Sequence, residues 1–454
     1  MNILYFHSHD TGRSIAPYGY SLETPRLQKL ADEGALFLDA HCAAPTCSPS
    51  RAALLTGQSA HESGMVSLAH RGGALNFPER HLANFLKGHG FHTAKAGLSH
   101  VGLDDESHGY VEVLGEGHRG EEVVERASRF LKEYQKEEPF FLDAGFFETH
   151  RHSYGFNQEY HHPGDGDGDP NDIEAPPAHL GMQEDVKRDW KDYANAVTRL
   201  DGFYGQILDQ LEASGLAEDT LVLVTTDHGV AFPEMKCSLT GRGTGVLLMM
   251  RLPHRIREGN KIKALVSHLD VFPTLCDLLK LEPPAWLEGR SLVPLLTGTS
   301  RDELHDEIFA EVTFHAAFEP KRSVRSKKWN YIRNFASPYP AILPNCDRGL
   351  TKDLWLREGR FAEEVAAEEL YDLEQDPGEV HNVASDAVYA EIKAHCREVL
   401  AKWMKKTNDP LLSADASVLP DEIIVNTWDQ RDPASGDAAC LWHAESDWPK
   451  VQPL

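Results

Sequence analysis

The chain has 454 residues, with 45 Lys and Arg against 71 Asp and Glu, so its formal charge is −26; 41% of it is apolar and 26% charged. That balance is ordinary for a globular protein with ample core, and it excludes a mainly disordered or fibrous chain. A surface this acidic repels DNA, RNA and anionic membranes, so no nucleic-acid or membrane partner is expected, and an anionic substrate needs a locally cationic pocket.

Residues 2–6 read as a short buried strand running into His7, His9 and Asp10. Residues 24–34 read as a helix with Leu27, Leu30 and Ala31 on one side, and 37–44 as extended. Serines around Pro49 lead into the helix formers Ala52 to Leu55, stopped by Gly57, which are helix start and stop signals. The apolar run 140–147 ends in Glu148-Thr149-His150. Residues 183–214 form the clearest helix: Val186, Trp190, Tyr193, Val197, Leu200, Tyr204, Ile207 and Leu211 recur at steps of three and four. The apolar strand 221–224 ends in Thr225-Thr226-Asp227-His228.

Strands alternating with helices predict an α/β fold with a large mixed, mainly parallel sheet between helices. After Gly298 the texture changes: strands near 323–334 and 369–373 and a helix near 387–405 suggest a smaller α+β domain. The expected division is 1–320 and 321–454, uncertain by about 15 residues. Gly164 to Pro170 resembles the start of a calcium loop, but Pro170 stands where Gly is required and Pro176 where Glu is, so a surface loop is expected. The stretch 153–185 is expected to form a rim that shapes substrate choice.

Seven cysteines, odd in number and scattered, do not make a disulfide scaffold. The first eight residues lack the basic start and apolar run of a signal peptide, and no stretch approaches the roughly 20 apolar residues that span a bilayer. A soluble, cytoplasmic protein is expected.

Three predicted strands end in polar residues: His9-Asp10, Glu148-Thr149-His150 and Asp227-His228. Ligands of open parallel sheets sit beyond the carboxyl ends of the strands. If these strands are neighbours, two Asp and three His meet at one edge, which suits a metal. Cys47, just before a helix, would sit near backbone N–H groups that favour a thiolate or a bound anion.

Cys47-Ser48-Pro49-Ser50-Arg51 followed by Leu55-Thr56-Gly57 resembles the signature of the sulfatase family, in which the Cys is oxidised to formylglycine. Thr24-Pro25 to Gly34, Leu269 to Leu275, Gly289 to Leu292 and Glu369 to Leu373 resemble further landmarks of that family, so the likeness covers nearly the whole chain. Within it, His61 to Met65, His150-Arg151, Phe232-Pro233 and Asn408-Asp409-Pro410 resemble the heparan N-sulfatases.

The resemblance implies an alkaline phosphatase-like catalytic domain with a small C-terminal antiparallel-sheet domain. It implies one divalent metal held by His9, Asp10, Asp227 and His228, with the modified Cys47 adding a hydroxyl. Arg51 would hold that hydroxyl and His61 would help deprotonate it. His150 and Lys236 would bind sulfate oxygens, and His100 would stand near the leaving group. Arg151 is expected to contact substrate. The implied partners are a sulfated saccharide or other small anionic ester and a formylglycine-generating enzyme; a homo-oligomer stays open.

Two features depart from the family pattern. His9-Asp10 and Asp227-His228 stand where most members carry Asp-Asp and Asp-Asn. Among manganese, zinc and calcium, imidazole ligands favour a transition metal. The family motif G-K-x-H appears as Gly97-Leu98-Ser99-His100, without its Lys. Lys95, three residues back on a strand, is expected to point the other way. The expected activity is hydrolysis of sulfate esters or sulfamates. The alternatives are a phosphodiester or phosphonate monoester hydrolase on the same fold and a non-catalytic binder of anionic glycans.

Overall fold

The computed structural model describes residues 1–102, 104–152, 154–156, 175–300, 302–336, 340–413, 419–420, 422–433, 440–441 and 451–452. In chain order its first ten strands are β1 (Asn2–Ser8), β2 (Ala35–Phe37), β3 (Ala40–His41), β4 (His92–Gly97), β5 (Glu112–Val113), β6 (Phe140–Gly145), β7 (Thr220–Thr226), β8 (Leu248–Arg251), β9 (Asn260–Ile262) and β10 (Val266–Ser267). Eight of them form one sheet in the order β5-β4-β6-β1-β7-β8-β2-β9. Only β8 runs antiparallel to its neighbours, so the sheet is mixed and mainly parallel, as expected.

β1 lies in the interior of the sheet, parallel to β6 on one side and β7 on the other. Its side chains alternate between two cores. Leu4 and Phe6 join Trp190, Tyr193 and Leu200 on one face, while Ile3 and Tyr5 join Phe37, Phe141 and Leu248 on the other. Both faces are covered, which is why these strands read as continuous apolar runs.

The first six helices are α1 (Pro25–Glu33), α2 (Cys47–Thr56), α3 (Ala60–Ser63), α4 (Leu82–Gly88), α5 (Gly120–Glu133) and α6 (Glu184–Ala213). The apolar stripe of α6 is buried as its periodicity predicts, against α1, α5 and a later helix at Leu350–Glu358. α2 begins at Cys47 itself, with Ser48-Pro49-Ser50 as its first turn. Pro at such a position costs no hydrogen bond.

Four further strands, β11 (Ile308–Phe314), β12 (Phe318–Arg325), β13 (Trp329–Asn334) and β14 (Glu368–Asp372), make an antiparallel sheet in that order. The helix Ala390–Lys406 packs on β12 and β13. This second sheet starts at Ile308. Gly164 to Pro170 lies outside the described residues, as does much of the expected rim. Among the described residues, no helix is long and apolar enough to cross a membrane.

Candidate active site

The carboxyl ends of β6, β1 and β7 deliver their polar residues to one place. His9 Nδ1 lies 2.8 Å from Asp10 Oδ1 and 3.1 Å from Asp227 Oδ2. His228 Nε2 lies 3.3 Å from Asp10 Oδ1. The Asp10 backbone N–H donates to Asp227 Oδ1 at 2.8 Å. One ligand atom from each of His9, Asp10, Cys47, Asp227 and His228 falls within 4.8 Å of all the others, and all five residues are buried. Asp10 and His100 both adopt left-handed backbone, with φ of 58° and 59°. Residues other than glycine rarely adopt this conformation, which is found at sites whose surroundings hold it in place.

Close packing behind the cluster demands glycine. A Cβ at Gly145, where β6 ends, would stand 1.9 Å from the Leu98 carbonyl oxygen and 2.4 Å from the His7 ring. His7 in turn hydrogen-bonds Asp143 at 2.7 Å and meets the guanidinium of Arg51, and the Tyr110 hydroxyl donates to Asp143. Arg51 donates to Asp227 Oδ2 from Nε at 3.2 Å and Nη2 at 2.9 Å, and to the Ser8 carbonyl at 2.9 Å. The buried guanidinium thus fixes one carboxylate of the cluster.

Lys236 closes the other side. Its Nζ lies 3.0 Å from Asp10 Oδ2, 3.0 Å from Asp347 Oδ2 and 3.3 Å from His150 Nε2. Burial opposes its charge, but Asp10 and Asp347 outweigh burial and hold the ammonium well above its usual range. The His150 ring stands 4.4 Å from that of His9. The His100 ring is 5.7 Å from that of His9, and its Nε2 lies 3.2 Å from Nδ1 of the exposed His70.

The residues fit a divalent cation. His228 Nδ1 faces the Gly229 carbonyl at 3.0 Å, which leaves the inward-facing Nε2 buried and without a hydrogen-bond partner among the described residues. Such a nitrogen is placed to bind a metal, with its tautomer set by the carbonyl. Burial pushes His9 down to about 3, so it is neutral. Burial alone would raise Asp10, but the Lys236 ammonium 3.0 Å away outweighs burial and holds the carboxyl well below its usual range. Neutral imidazoles and ionised carboxylates are the metal-binding forms.

Four expectations are corrected or sharpened. Burial pushes the Cys47 thiol well above its usual range although it opens a helix, so desolvation outweighs the N–H groups expected to favour a thiolate. His61 turns into a second cluster, with Nδ1 2.9 Å from Glu311 Oε1 and its ring edge-on to Trp403 at 5.3 Å. Glu311 therefore takes one ring nitrogen of the imidazole expected to serve the nucleophile and leaves its buried Nε2 without a hydrogen-bond partner among the described residues. Arg151 does not present its head to a substrate. It is clamped by Asp189 at 2.7 and 3.0 Å, donates to the Ala231 and Tyr154 carbonyls, and lies over the rings of Phe156 and Phe232. Lys95 pairs with Asp105 and does not replace the Lys missing at Leu98.

Asp347, His70 and His315 carried no motif. Asp347 comes from a loop far along the chain, and only the fold brings it to Lys236. His315 sits in the β11–β12 turn, where its buried Nδ1 has no hydrogen-bond partner among the described residues.

A family model for sulfatases matches residues 2–281, and one for the C-terminal part of N-sulphoglucosamine sulphohydrolase matches residues 240–340. The chain belongs to the sulfatase family and is a sulfuric ester hydrolase. It is similar to N-sulphoglucosamine sulphohydrolase of Homo sapiens, at 30% identity over 93% of each chain. Its fold is similar to that of a structure solved in complex with its substrate D-glucosamine-2-N,6-O-disulfate, with a TM-score of 0.68 and 18% identity over 90% of this chain and 98% of that one. It is also similar to that of the phosphonate monoester hydrolase of Agrobacterium radiobacter, with a TM-score of 0.65 and 19% identity over 89% and 96%.

Proposed function

We propose that this protein is a metal-dependent hydrolase of sulfamates or sulfate esters on a saccharide, with its nucleophile derived from Cys47. The observation that carries this reading is Cys47 at the start of α2, inside a cluster of two carboxylates and two imidazoles. A formylglycine at position 47 would supply a hydroxyl nucleophile from its hydrate. A divalent cation held by His9, Asp10, Asp227 and His228 would lower the pKa of that hydroxyl and neutralise sulfate oxygens.

The chain's own groups do the rest. Arg51 fixes Asp227 and adds positive charge behind the nucleophile. Lys236 and His150, in mutual contact at 3.3 Å, bind sulfate oxygens from the opposite side. Fixed donors aimed at developing charge provide the largest share of such catalysis. His100 handles the leaving-group proton. Burial and neighbouring imidazoles keep it well below its usual range, and an arriving sulfate opposes that by its charge. His70, exposed and in contact with His100, connects that proton to bulk water. A complete cluster of this kind argues against a mere glycan binder.

The second reading, a phosphodiester or phosphonate monoester hydrolase, draws on Asp227-His228 and on the Leu98 that stands in place of a Lys. One experiment separates them. A manganese-loaded sample with confirmed oxidation of Cys47 is offered an aryl sulfate, N-sulfoglucosamine and an aryl phosphodiester. Faster sulfate release is expected, and the better sulfur substrate distinguishes ester from sulfamate chemistry. Faster phosphodiester cleavage would reassign the enzyme.

A further inference from the structure

Among the described residues the cluster meets solvent on two sides, at His100 with His70 and at His150 with Asp347. The side chains of His9, Asp10, Asp227, His228 and Lys236 are no more than 2% exposed, whereas His150 keeps 22% and Asp347 14%. A sulfate held by Lys236 and His150 lies on the second of these sides, where Lys236 also touches Asp347 at 3.0 Å. Lys236 and the two residues before Asp347 in the chain, Asn345 and Cys346, line a cleft of about 570 Å³ that reaches Lys321 and Arg360, large enough for a sugar.

A carboxylate at this mouth is unexpected. It repels the anionic half of the substrate and half-neutralises the lysine that must bind it. Lys236 is held between Asp10 and Asp347, so Asp347 is not needed to pair an otherwise lone cation. A carboxylate has about four acceptor positions, and the buried Asp347 Oδ2, though 3.0 Å from the Lys236 ammonium, has no hydrogen-bond partner among the described residues. Its remaining capacity suits N–H or O–H groups and offers nothing to an aryl or alkyl group.

We propose that Asp347 is a specificity-determining residue, accepting a hydrogen bond from an N–H or O–H of the sugar that bears the sulfate. The inference rests on the sulfatase reading and deepens it. The site then prefers sulfated sugars to sulfate esters without donors.

Binding measures this apart from turnover. Calorimetry on Cys47→Ala protein is compared with Cys47→Ala carrying Asp347→Asn, using inorganic sulfate, 4-nitrophenyl sulfate, N-sulfoglucosamine and glucose 6-sulfate. The second substitution is expected to weaken sugar binding at least tenfold while sulfate and the aryl ester bind as well or more tightly. Greater loss for N-sulfoglucosamine assigns the bond to N–H, and greater loss for glucose 6-sulfate to O–H. Equal loss for all four ligands overturns the inference, because Asp347 would then only hold Lys236; so does no loss for either sugar. If the Cys47→Ala protein binds the sugars but the protein that keeps Cys47, oxidised and metal-loaded, releases no sulfate from them, the sulfatase reading fails and the binding result stands by itself.

Discussion

Cys47 is buried at the end of a sheet whose two cores lie elsewhere, so Cys47→Ala should abolish turnover and leave the thermal midpoint nearly unchanged. Retained hydrolysis in that variant would refute a nucleophile at this position. Lys236→Met should lower kcat/KM by about 10²–10³-fold, the usual cost of losing one fixed donor to developing charge. Arg151 gives the opposite forecast. Its guanidinium is spent on Asp189 and two carbonyls, so Arg151→Met should cost about 3–5 kcal/mol of stability by stranding a buried carboxylate. Urea unfolding checks this, and a loss confined to KM with full stability would restore Arg151 to the substrate. The clustered pairs His9-Asp10 and Asp227-His228 were legible because each follows an apolar strand. Arg151 misled because charge and neighbourhood in sequence do not reveal a partner such as Asp189 on α6.

Between elements, the second cluster ties α3 to the C-terminal sheet. Arg322 on β12 donates to Asp409 at 2.6 and 3.1 Å and lies 3.3 Å from Glu311 on β11, which holds His61. Burial opposes protonation of His61, but Glu311 outweighs it and raises the imidazole above its usual value; burial would raise Glu311, but His61 and Arg322 bring it down to about 2. A raised His stabilises fully below about pH 6.5 and loses that contribution as pH climbs through its folded value. A lowered Glu stabilises above about pH 4.3 and loses it as pH falls toward 2. The link is therefore strongest between those limits. The thermal-midpoint gap between the parent and His61→Asn should be widest near pH 5–6 and narrow as pH climbs through the raised value of His61; a gap that does not vary with pH would remove the charge from this account. Asp409→Asn should cost about 3–5 kcal/mol, because it strips Arg322 of its two-pronged partner. Asn408-Asp409-Pro410 thus has a structural role. Sequence pattern located the motif but not its partner, since the pairing depends on how a hairpin docks on a helix end.

For the whole molecule, the class of fold was legible from β1, β6, β7 and α6, whose apolar patterns are long or strongly periodic. The short strands β2, β5, β8 and β9 were not, because a few residues carry no period and their pairing is decided by the neighbours already in place. β11 was also missed: buried Glu311 and Thr313 interrupt its apolar pattern, and their burial makes sense only once Arg322 and His61 are near. The position of Asp347 belongs to the same class of facts, and its role is the specificity argued above.

The interior position of β1 also sets an order in time. Residues made first wait for β6 and then for β7, at Thr220–Thr226, before both edges of Asn2–Ser8 are covered. Until β7 emerges from the ribosome, Asp227 and His228 do not exist to enclose the pocket, and Cys47 remains within reach of another protein. Afterwards 2% of Cys47 is exposed, and an enzyme that needs to grip the surrounding chain finds it wound into α2. If Cys47 is the source of the nucleophile proposed above, its conversion belongs to nascent or unfolded protein: a modifying enzyme added to the finished molecule should leave the thiol intact, whereas the same treatment before refolding should convert it.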